Sequence, residues 1–237
     1  MNATFSHASP PVIELEQVKF QWPNNLKLTL DIEMLSVAAG EHLFIKGPSG
    51  CGKSTLLSLL TGIHVANQGK VSLLGHDLAQ QKARERDRFR ADHIGYIFQQ
   101  FNLLPYLSVI ENVILPCQFS SRRRNTIAGD LTCRAIELLS QLHLPESLLH
   151  QPVVELSIGQ QQRVAAARAL IGEPALLIAD EPTSALDHDN RTAFIELLLK
   201  EANRVGSTLV FVSHDPTLEK LFNRSVYLPA LNRARGI

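Results

Sequence analysis

A glycine-rich segment, Gly47–Thr55 (GPSGCGKST), limits the possible folds of this chain more than any other part of the sequence. It matches the pattern G-x-x-x-x-G-K-[ST], whose glycines let the backbone curl so that several N–H groups point at phosphate oxygens. Its flanks fit this geometry, because the sequence predicts a short strand over 41–46 and an apolar helix from Leu56 to about Gly62. The start of that helix adds a partial positive charge. The segment therefore predicts a phosphate-binding loop.

The side chains at the end of this loop predict its contacts. Lys53 is expected to reach the β- and γ-phosphates of a nucleotide, and the Ser54 hydroxyl is expected to ligate Mg²⁺. The alternative is an ordinary turn between a strand and a helix, but such a match arises by chance in only about one chain in a hundred of this length. All residues of the loop are candidates for nucleotide binding: Gly47, Pro48, Ser49, Gly50, Cys51, Gly52, Lys53, Ser54 and Thr55.

Composition and charge limit the class of protein. With 237 residues, of which 45% are hydrophobic, the chain suits one large domain or two small ones with a real core. Lys plus Arg and Asp plus Glu both number 23, and this neutrality argues against a nucleic-acid partner. A local basic patch at 122–124 stays open, although three arginines in a row are more often a solvated loop. The three cysteines, Cys51, Cys117 and Cys133, show no metal-ligand spacing and favour a reducing cytoplasm.

Neither a signal peptide nor a membrane span is visible in the sequence. Residues 1–11 lack a basic cluster followed by an apolar run, and no stretch approaches 18 apolar residues. We therefore expect any membrane role to come through a partner.

Short apolar runs alternate with helical periodicity. Residues 175–179 and 208–212 predict strands buried on both faces, as in a parallel sheet, with a helix from about Asn190 between them. Such strand–helix–strand alternation predicts a three-layer α/β core. Residues 12–46 predict extended structure, and a proline-broken helical stretch over 101–154 predicts an insertion into that core.

Two acids follow the first of these apolar runs. Asp180 ends the predicted strand, where a phosphate-loop fold places the acid that holds Mg²⁺ through water. Glu181 follows directly and is the candidate general base for an attacking water. The alternative is a pair of solvated acids at a strand end, which the phosphate loop makes less attractive.

Several segments, taken together, resemble ATP-binding cassette (ABC) ATPases. Residues 156–163, LSIGQQQR, resemble the family signature, commonly LSGGQ followed by QR. Residues 184–187 are similar to the D-loop, His214 after a strand is similar to the switch histidine, and Gln99 is similar to the Q-loop glutamine. The resemblance covers roughly residues 12–216.

The resemblance implies the fold class and domain organisation. We expect an α/β fold of the P-loop NTPase (RecA-like) type, a three-layer core with an antiparallel β subdomain and a helical insertion. It would form a single domain over 12–237, with its core at about 12–99 and 163–237 and its helical subdomain at about 100–162.

The resemblance also implies ATP and Mg²⁺ as ligands and a head-to-tail homodimer with two ATP molecules between the subunits. Trp22 would stack on adenine, with Phe20 as its rival and a packed core tryptophan as the alternative. The implied catalytic residues are Glu181, His214, Gln99 and Lys53, the metal ligands are Ser54, Gln99 and Asp180, and the residues that act in trans are Ser157, Gly159, Gln160 and Asp187.

The function that the resemblance implies is the ATP-hydrolysing subunit of an ABC transporter. It would bind the cytoplasmic face of the inner (plasma) membrane only through an integral permease, whose coupling helix would enter a groove beside residues 99–115. The stretch 88–105 is similar to one branch, the ATPases of lipoprotein-release, macrolide-efflux and cell-division complexes, which favours export or mechanical work.

Two alternatives and two departures from the family pattern accompany this prediction. The chain could be a soluble ABC ATPase that acts on the ribosome or DNA, or a nucleotide-binding regulator with little turnover. Ile158 replaces the usual first glycine of the signature, and it could crowd a partner's phosphate. After His214 the usual C-terminal hairpin is missing, and we expect no long regulatory domain.

Overall fold

Two β-sheets organise the residues that a computed structural model describes, 11–183 and 188–234, with the backbone alone for residues 188–190. The parallel sheet has the order β6-β7-β8-β3-β9, and the antiparallel sheet has the order β2-β1-β4-β5. These sheets confirm the predicted α/β fold with an antiparallel β subdomain. In chain order the strands are β1 (Ile13–Phe20), β2 (Leu30–Val37), β3 (Leu43–Lys46), β4 (Gln68–Leu73), β5 (His76–Asp77), β6 (Ile94–Ile97), β7 (Leu176–Asp180), β8 (Thr208–Ser213) and β9 (Arg224–Tyr227).

The central strands of the parallel sheet are buried on both faces, as their apolar runs predict. Every residue of β8 is buried, and in β7 only the terminal Asp180 is partly exposed. Because all four pairings in this sheet are parallel, the carboxyl ends of β3, β7 and β8 meet at one edge. That edge is where ligands bind in open α/β sheets.

Helices cover the parallel sheet and form the stretch between β6 and β7. The longer helices are α1 (Lys53–Leu60), α2 (Ala83–His93), α6 (Leu131–Gln141), α7 (Ile158–Leu170) and α8 (His188–Arg204). The shorter ones are α3 (Val109–Ile114), α4 (Pro116–Phe119), α5 (Ser121–Thr126) and α9 (Leu228–Leu231). Within the described residues, none of these helices has the length and apolar character needed to cross a membrane.

The expectation that residues 122–124 form a solvated loop is wrong. They lie within α5, and the Arg123 side chain is only 2% exposed. Its guanidinium donates hydrogen bonds to the carbonyl oxygens of Ile94 (2.6 Å) and Ile171 (3.2 Å), and burial lowers its pKa to about 10. These bonds compensate the desolvated charge and tie α5 to the start of β6 and the end of α7.

Two other segments also differ from the predictions. Extended structure is predicted over 12–46, but within that range β2 begins only at Leu30 and residues 25–29 form a loop. A further strand, β9, follows His214 and pairs with β3, and α9 comes directly after it. Single-sequence periodicity is a weak signal for segments this short, since neighbouring elements decide their pairing.

Candidate active site

The phosphate loop connects β3 to α1 in a conformation that requires its glycines. Gly50 and Gly52 have φ angles of 82° and 101°, in the left-handed region that other residues rarely adopt. At Gly47, an added Cβ would lie 2.6 Å from Cys51 Sγ and 3.1 Å from the Pro229 ring. Gly52 is the N-cap of α1, so the N–H groups of the first turn face the cleft without a side-chain cap. The loop is therefore shaped to surround an anion.

Lys53 lies inside this loop, with only 8% of its surface exposed. Its ammonium donates hydrogen bonds to the carbonyl oxygens of Gly47 (2.9 Å) and Pro48 (3.0 Å). It also lies 3.6 Å from Glu181 Oε1, at the end of β7. The structure thus brings the loop lysine and the candidate base together.

Glu181 is held in an unusual backbone conformation. Its φ angle is 45°, in the left-handed region, and its N–H donates to the carbonyl oxygen of Val212 on β8 (3.0 Å). Such strain is found where the surrounding structure fixes a residue, often at functional sites. The second carboxylate oxygen, Oε2, lies 3.2 Å from Nδ1 of His214, whose side chain is 63% exposed. Glu181 therefore joins Lys53 to His214 at the edge of the sheet.

Asp180 lies beside this group at the end of β7. Its Oδ2 accepts a hydrogen bond from the Tyr96 hydroxyl at 3.3 Å. Burial raises the pKa of this carboxyl group, while the Tyr96 hydrogen bond opposes the rise. The sequence does not predict a role for Tyr96, because nothing in the local pattern around Tyr96 indicates a contact with a residue 84 positions away.

Lys53, Asp180 and Glu181 line an open cleft of about 900 Å³, whereas Tyr96 and His214 are not among its lining residues. Its walls include Gln99, the loop from Pro48 to Thr55, both acids and Trp22. The rest of the lining is not predicted from the sequence and comes from the loop after Trp22 and from the C-terminal segment: Asn25, Lys27, Leu28, Thr29, Pro229, Asn232 and Ala234. No motif marks these residues, because tertiary contacts bring them to the cleft.

Trp22 is a half-buried wall of this cleft rather than a fully packed core residue. Its ring meets Phe20 edge to face, with 5.1 Å between centroids, and meets His64 in the same way at 4.7 Å. Phe20 is only 4% exposed, so it supports Trp22 from beneath and has no face available to a base. Of the two candidates, Trp22 alone is in a position to stack on a ligand.

The donor set suits a small, hard cation. Ser54 is exposed in the cleft, and Asp180 and Gln99 line the same cleft. Mg²⁺ prefers oxygen ligands and is usually held by one or two protein groups together with substrate phosphates. Among the described residues there is no group of three or more His, Cys, Asp or Glu that would form an all-protein metal site. The residues present therefore fit Mg²⁺ bound with a nucleotide.

The signature residues lie apart from this cleft. Ser157 caps α7: its hydroxyl accepts from Gln160 N–H, and the Gln160 side chain accepts from Ser157 N–H at 2.8 Å. Neither these two nor Gly159 lines the cleft of the same chain. Ile158 is 52% exposed, so its side chain projects from the helix start. The predicted D-loop residue Asp187 lies outside the described residues.

A family model and similar proteins of known sequence both point to one family. A family model described as ABC transporter matches residues 30–184. The ATP-binding protein LolD of the lipoprotein-releasing system of Bacteroides fragilis is 38% identical over 198 residues, which cover 82% of this chain and 88% of that protein. LolD of Shewanella sp. is 41% identical over 192 residues and 81% of either chain.

A solved structure is also similar over nearly the whole chain. It is the ATP-binding cassette MJ0796 in a dimeric, post-hydrolysis state bound to ADP and phosphate. The TM-score is 0.80 at 35% identity, with 95% of this chain and 100% of that chain covered.

Proposed function

Because this chain belongs to the ABC transporter family, in which it is an ATP-binding, ATP-hydrolysing subunit, we propose that its cleft drives a separate membrane permease. One observation carries the proposal. Lys53, Asp180, Glu181 and His214 converge at the carboxyl ends of β3, β7 and β8, beside a loop shaped for phosphate. Parallel strands that end together place several polar groups around one reacting atom.

We infer that the loop Gly47–Thr55 binds the phosphates of ATP. Its glycine backbone and the start of α1 supply N–H donors and a favourable dipole. Lys53 Nζ would exchange its carbonyl partners for β- and γ-phosphate oxygens, and Trp22 would stack on adenine. Mg²⁺, held by Ser54, Gln99 and Asp180, would neutralise charge on the phosphates.

Hydrolysis would use Glu181 as the general base. With its φ angle of 45° the carboxylate is fixed beside both Lys53 and His214. When the γ-phosphate takes Lys53, the Glu181 oxygen facing it is released to accept a proton from the attacking water. His214, exposed at the cleft edge, would contact the γ-phosphate, and Gln99 would position the water.

We propose that a second copy of the chain completes each site. Ser157, Gly159, Gln160 and Asp187 of that copy would face the γ-phosphate. The exposed, capped start of α7 supports this arrangement, because it offers a hydroxyl and a helix dipole that no ligand in its own cleft can reach. The similar cassette MJ0796 is a dimer.

This chain would lie on the cytoplasmic face of the inner membrane, and the integral permease would contact it at the groove near the Q-loop. A cavity of about 320 Å³ lies there, lined among others by Phe98 and Phe119. Phe119 is 74% exposed and Phe98 is 39% exposed, so this cavity presents two aromatic rings to a partner. The LolD relatives favour a lipoprotein-releasing or other export complex.

We further propose that residues 100–162 act as the helical subdomain that passes motion between permease and core.

The decisive test is an ATPase assay with Glu181→Gln. Because general-base catalysis contributes about 10²- to 10⁴-fold, hydrolysis should fall by about that factor while ATP binding persists. Glu196→Gln, on an exposed position of α8, is the matched control and should leave hydrolysis unchanged. Undiminished turnover in Glu181→Gln would exclude it as the base.

Co-purification tests the permease. The membrane fraction of cells that express the protein should retain it. An integral membrane protein should be found bound to it when that fraction is solubilised and the protein is purified. Salt-sensitive binding to ribosomes or DNA without membrane retention would instead favour the soluble alternative.

A further inference from the structure

Tyr96 makes a contact that the proposed hydrolysis does not yet use. It lies on β6, the edge strand of the parallel sheet, in register with Ile178 of the neighbouring strand β7. Asp180 is two residues beyond Ile178, so its side chain leaves the same face of the sheet as the Tyr96 ring. The two side chains meet there, with 3.3 Å between the phenol oxygen and Asp180 Oδ2.

A third cavity, of about 220 Å³, lies on the other side of this pair. Ser54 and Asp180 line both that cavity and the nucleotide cleft, so the two proposed metal ligands separate the two spaces. Tyr96 lines this third cavity together with Phe98, and the two rings pack with their centroids 4.3 Å apart. The Tyr96 hydroxyl is therefore directed at the metal-binding carboxylate, while its ring faces the groove side of the molecule.

We propose that Tyr96 is a positioning residue that fixes the orientation of Asp180 toward the water shell of Mg²⁺. The inference rests on the proposed role of Asp180. A carboxylate that acts through a bound water has to keep one oxygen aimed at that water, and a hydrogen bond to its other oxygen restricts rotation of the group. Tyr96 donates that bond from a half-buried ring that Phe98 holds in place.

The same contacts connect the groove to the metal site. Phe98 is 39% exposed and also lines the groove cavity of about 320 Å³. A displacement of Phe98 would move the Tyr96 ring and with it the hydroxyl that restrains Asp180.

The test is Tyr96→Phe, which keeps the ring and removes only the hydroxyl. Tyr227→Phe is the matched control, because Tyr227 is 49% exposed on β9 and does not line the cleft. ATP affinity is measured from Trp22 fluorescence in EDTA and across a Mg²⁺ titration. In Tyr96→Phe, the Mg²⁺ concentration at half-effect should rise about three- to tenfold, the size expected for one lost outer hydrogen bond.

The two conditions separate positioning from general damage. Affinity in EDTA should stay at the wild-type value in both variants, since the hydroxyl acts only through the metal site. A wild-type Mg²⁺ titration in Tyr96→Phe would overturn the inference, and so would an equal loss of affinity in EDTA. A wild-type protein whose ATP binding ignores Mg²⁺ would overturn the proposed function together with the inference.

Discussion

The two segments that would face one ATP molecule differ in how far a single chain completes their bonding. Lys53, in the phosphate loop, is 8% exposed and already contacts two backbone carbonyls and Glu181. Ser157, at the start of α7, is exposed and bonds to Gln160 of its own turn. The first segment is held by the fold, whereas the second is presented on the surface. If the proposed function holds, a folded monomer contains an ATP-binding cleft but only half of a hydrolysis site.

Lys53→Ala should produce the largest effect, because it removes a side chain from the phosphate loop, the part of the site that a single chain completes. The substitution removes the only ammonium next to the cleft carboxylate Glu181 among the described residues and deprives the phosphates of their cation. We expect ATP affinity to fall at least tenfold and hydrolysis to fall about a thousandfold, as for loss of a principal electrostatic group. Isothermal titration with ATP and a phosphate-release assay measure the two quantities.

Lys46→Ala is the control for that substitution. Lys46 ends the strand that leads into the loop, and its ammonium pairs with Glu219 instead of facing the cleft. It should bind and hydrolyse ATP as the wild type does. A Lys53→Ala protein with wild-type affinity would show that the cleft of the monomer is not the nucleotide site.

Ser157→Ala should distinguish ATP binding by the monomer from hydrolysis and dimerisation. Monomer affinity for ATP should be unchanged, since Ser157 does not line the cleft of its own chain. Hydrolysis and ATP-driven dimerisation should fall about tenfold, the effect of one lost hydrogen bond to a charged phosphate. Titration of monomer at low protein concentration and light scattering in Mg-ATP distinguish the two effects.

Ser108→Ala controls for the lost cap. Ser108 forms the same type of capping box at the start of α3, with Glu111 in place of Gln160. Either substitution should cost about 1 kcal/mol of stability, but only Ser157→Ala should impair dimerisation. Equal effects of both variants on dimerisation would contradict the assignment of Ser157 to the partner's site.

The sequence predicts the phosphate loop and the strand beside it better than it predicts the residues that surround them. The phosphate loop and the strand before Asp180 follow from local patterns, and the predicted ABC family is confirmed by the match over residues 30–184. The burial of Arg123 and the Tyr96 contact with Asp180 do not follow, because each depends on carbonyl or carboxylate partners from distant strands. Local propensity carries no information about such partners.

The C-terminal segment shows the same limit and supports a smaller prediction. Asn232 accepts a hydrogen bond from Asp31 N–H (2.8 Å) and donates to the carbonyl oxygen of Thr29 (3.0 Å). It thereby fixes the loop that forms one wall of the cleft, next to Gly52. Because these partners are about 200 positions away, the departure from the usual hairpin could be noticed in the sequence but not explained.

Asn232→Ala should therefore weaken ATP binding modestly without affecting the partner-facing half. Two hydrogen bonds that position the wall are lost, but no group that touches phosphate is removed, so affinity should fall about three- to fivefold. Asn125→Ala, at an exposed position of α5, is the control and should match the wild type. If Trp22 fluorescence reports an unchanged affinity in Asn232→Ala, the C-terminal segment packs against the cleft without shaping it. If dimerisation at saturating ATP falls as well, the two halves are coupled more closely than their separate bonding suggests.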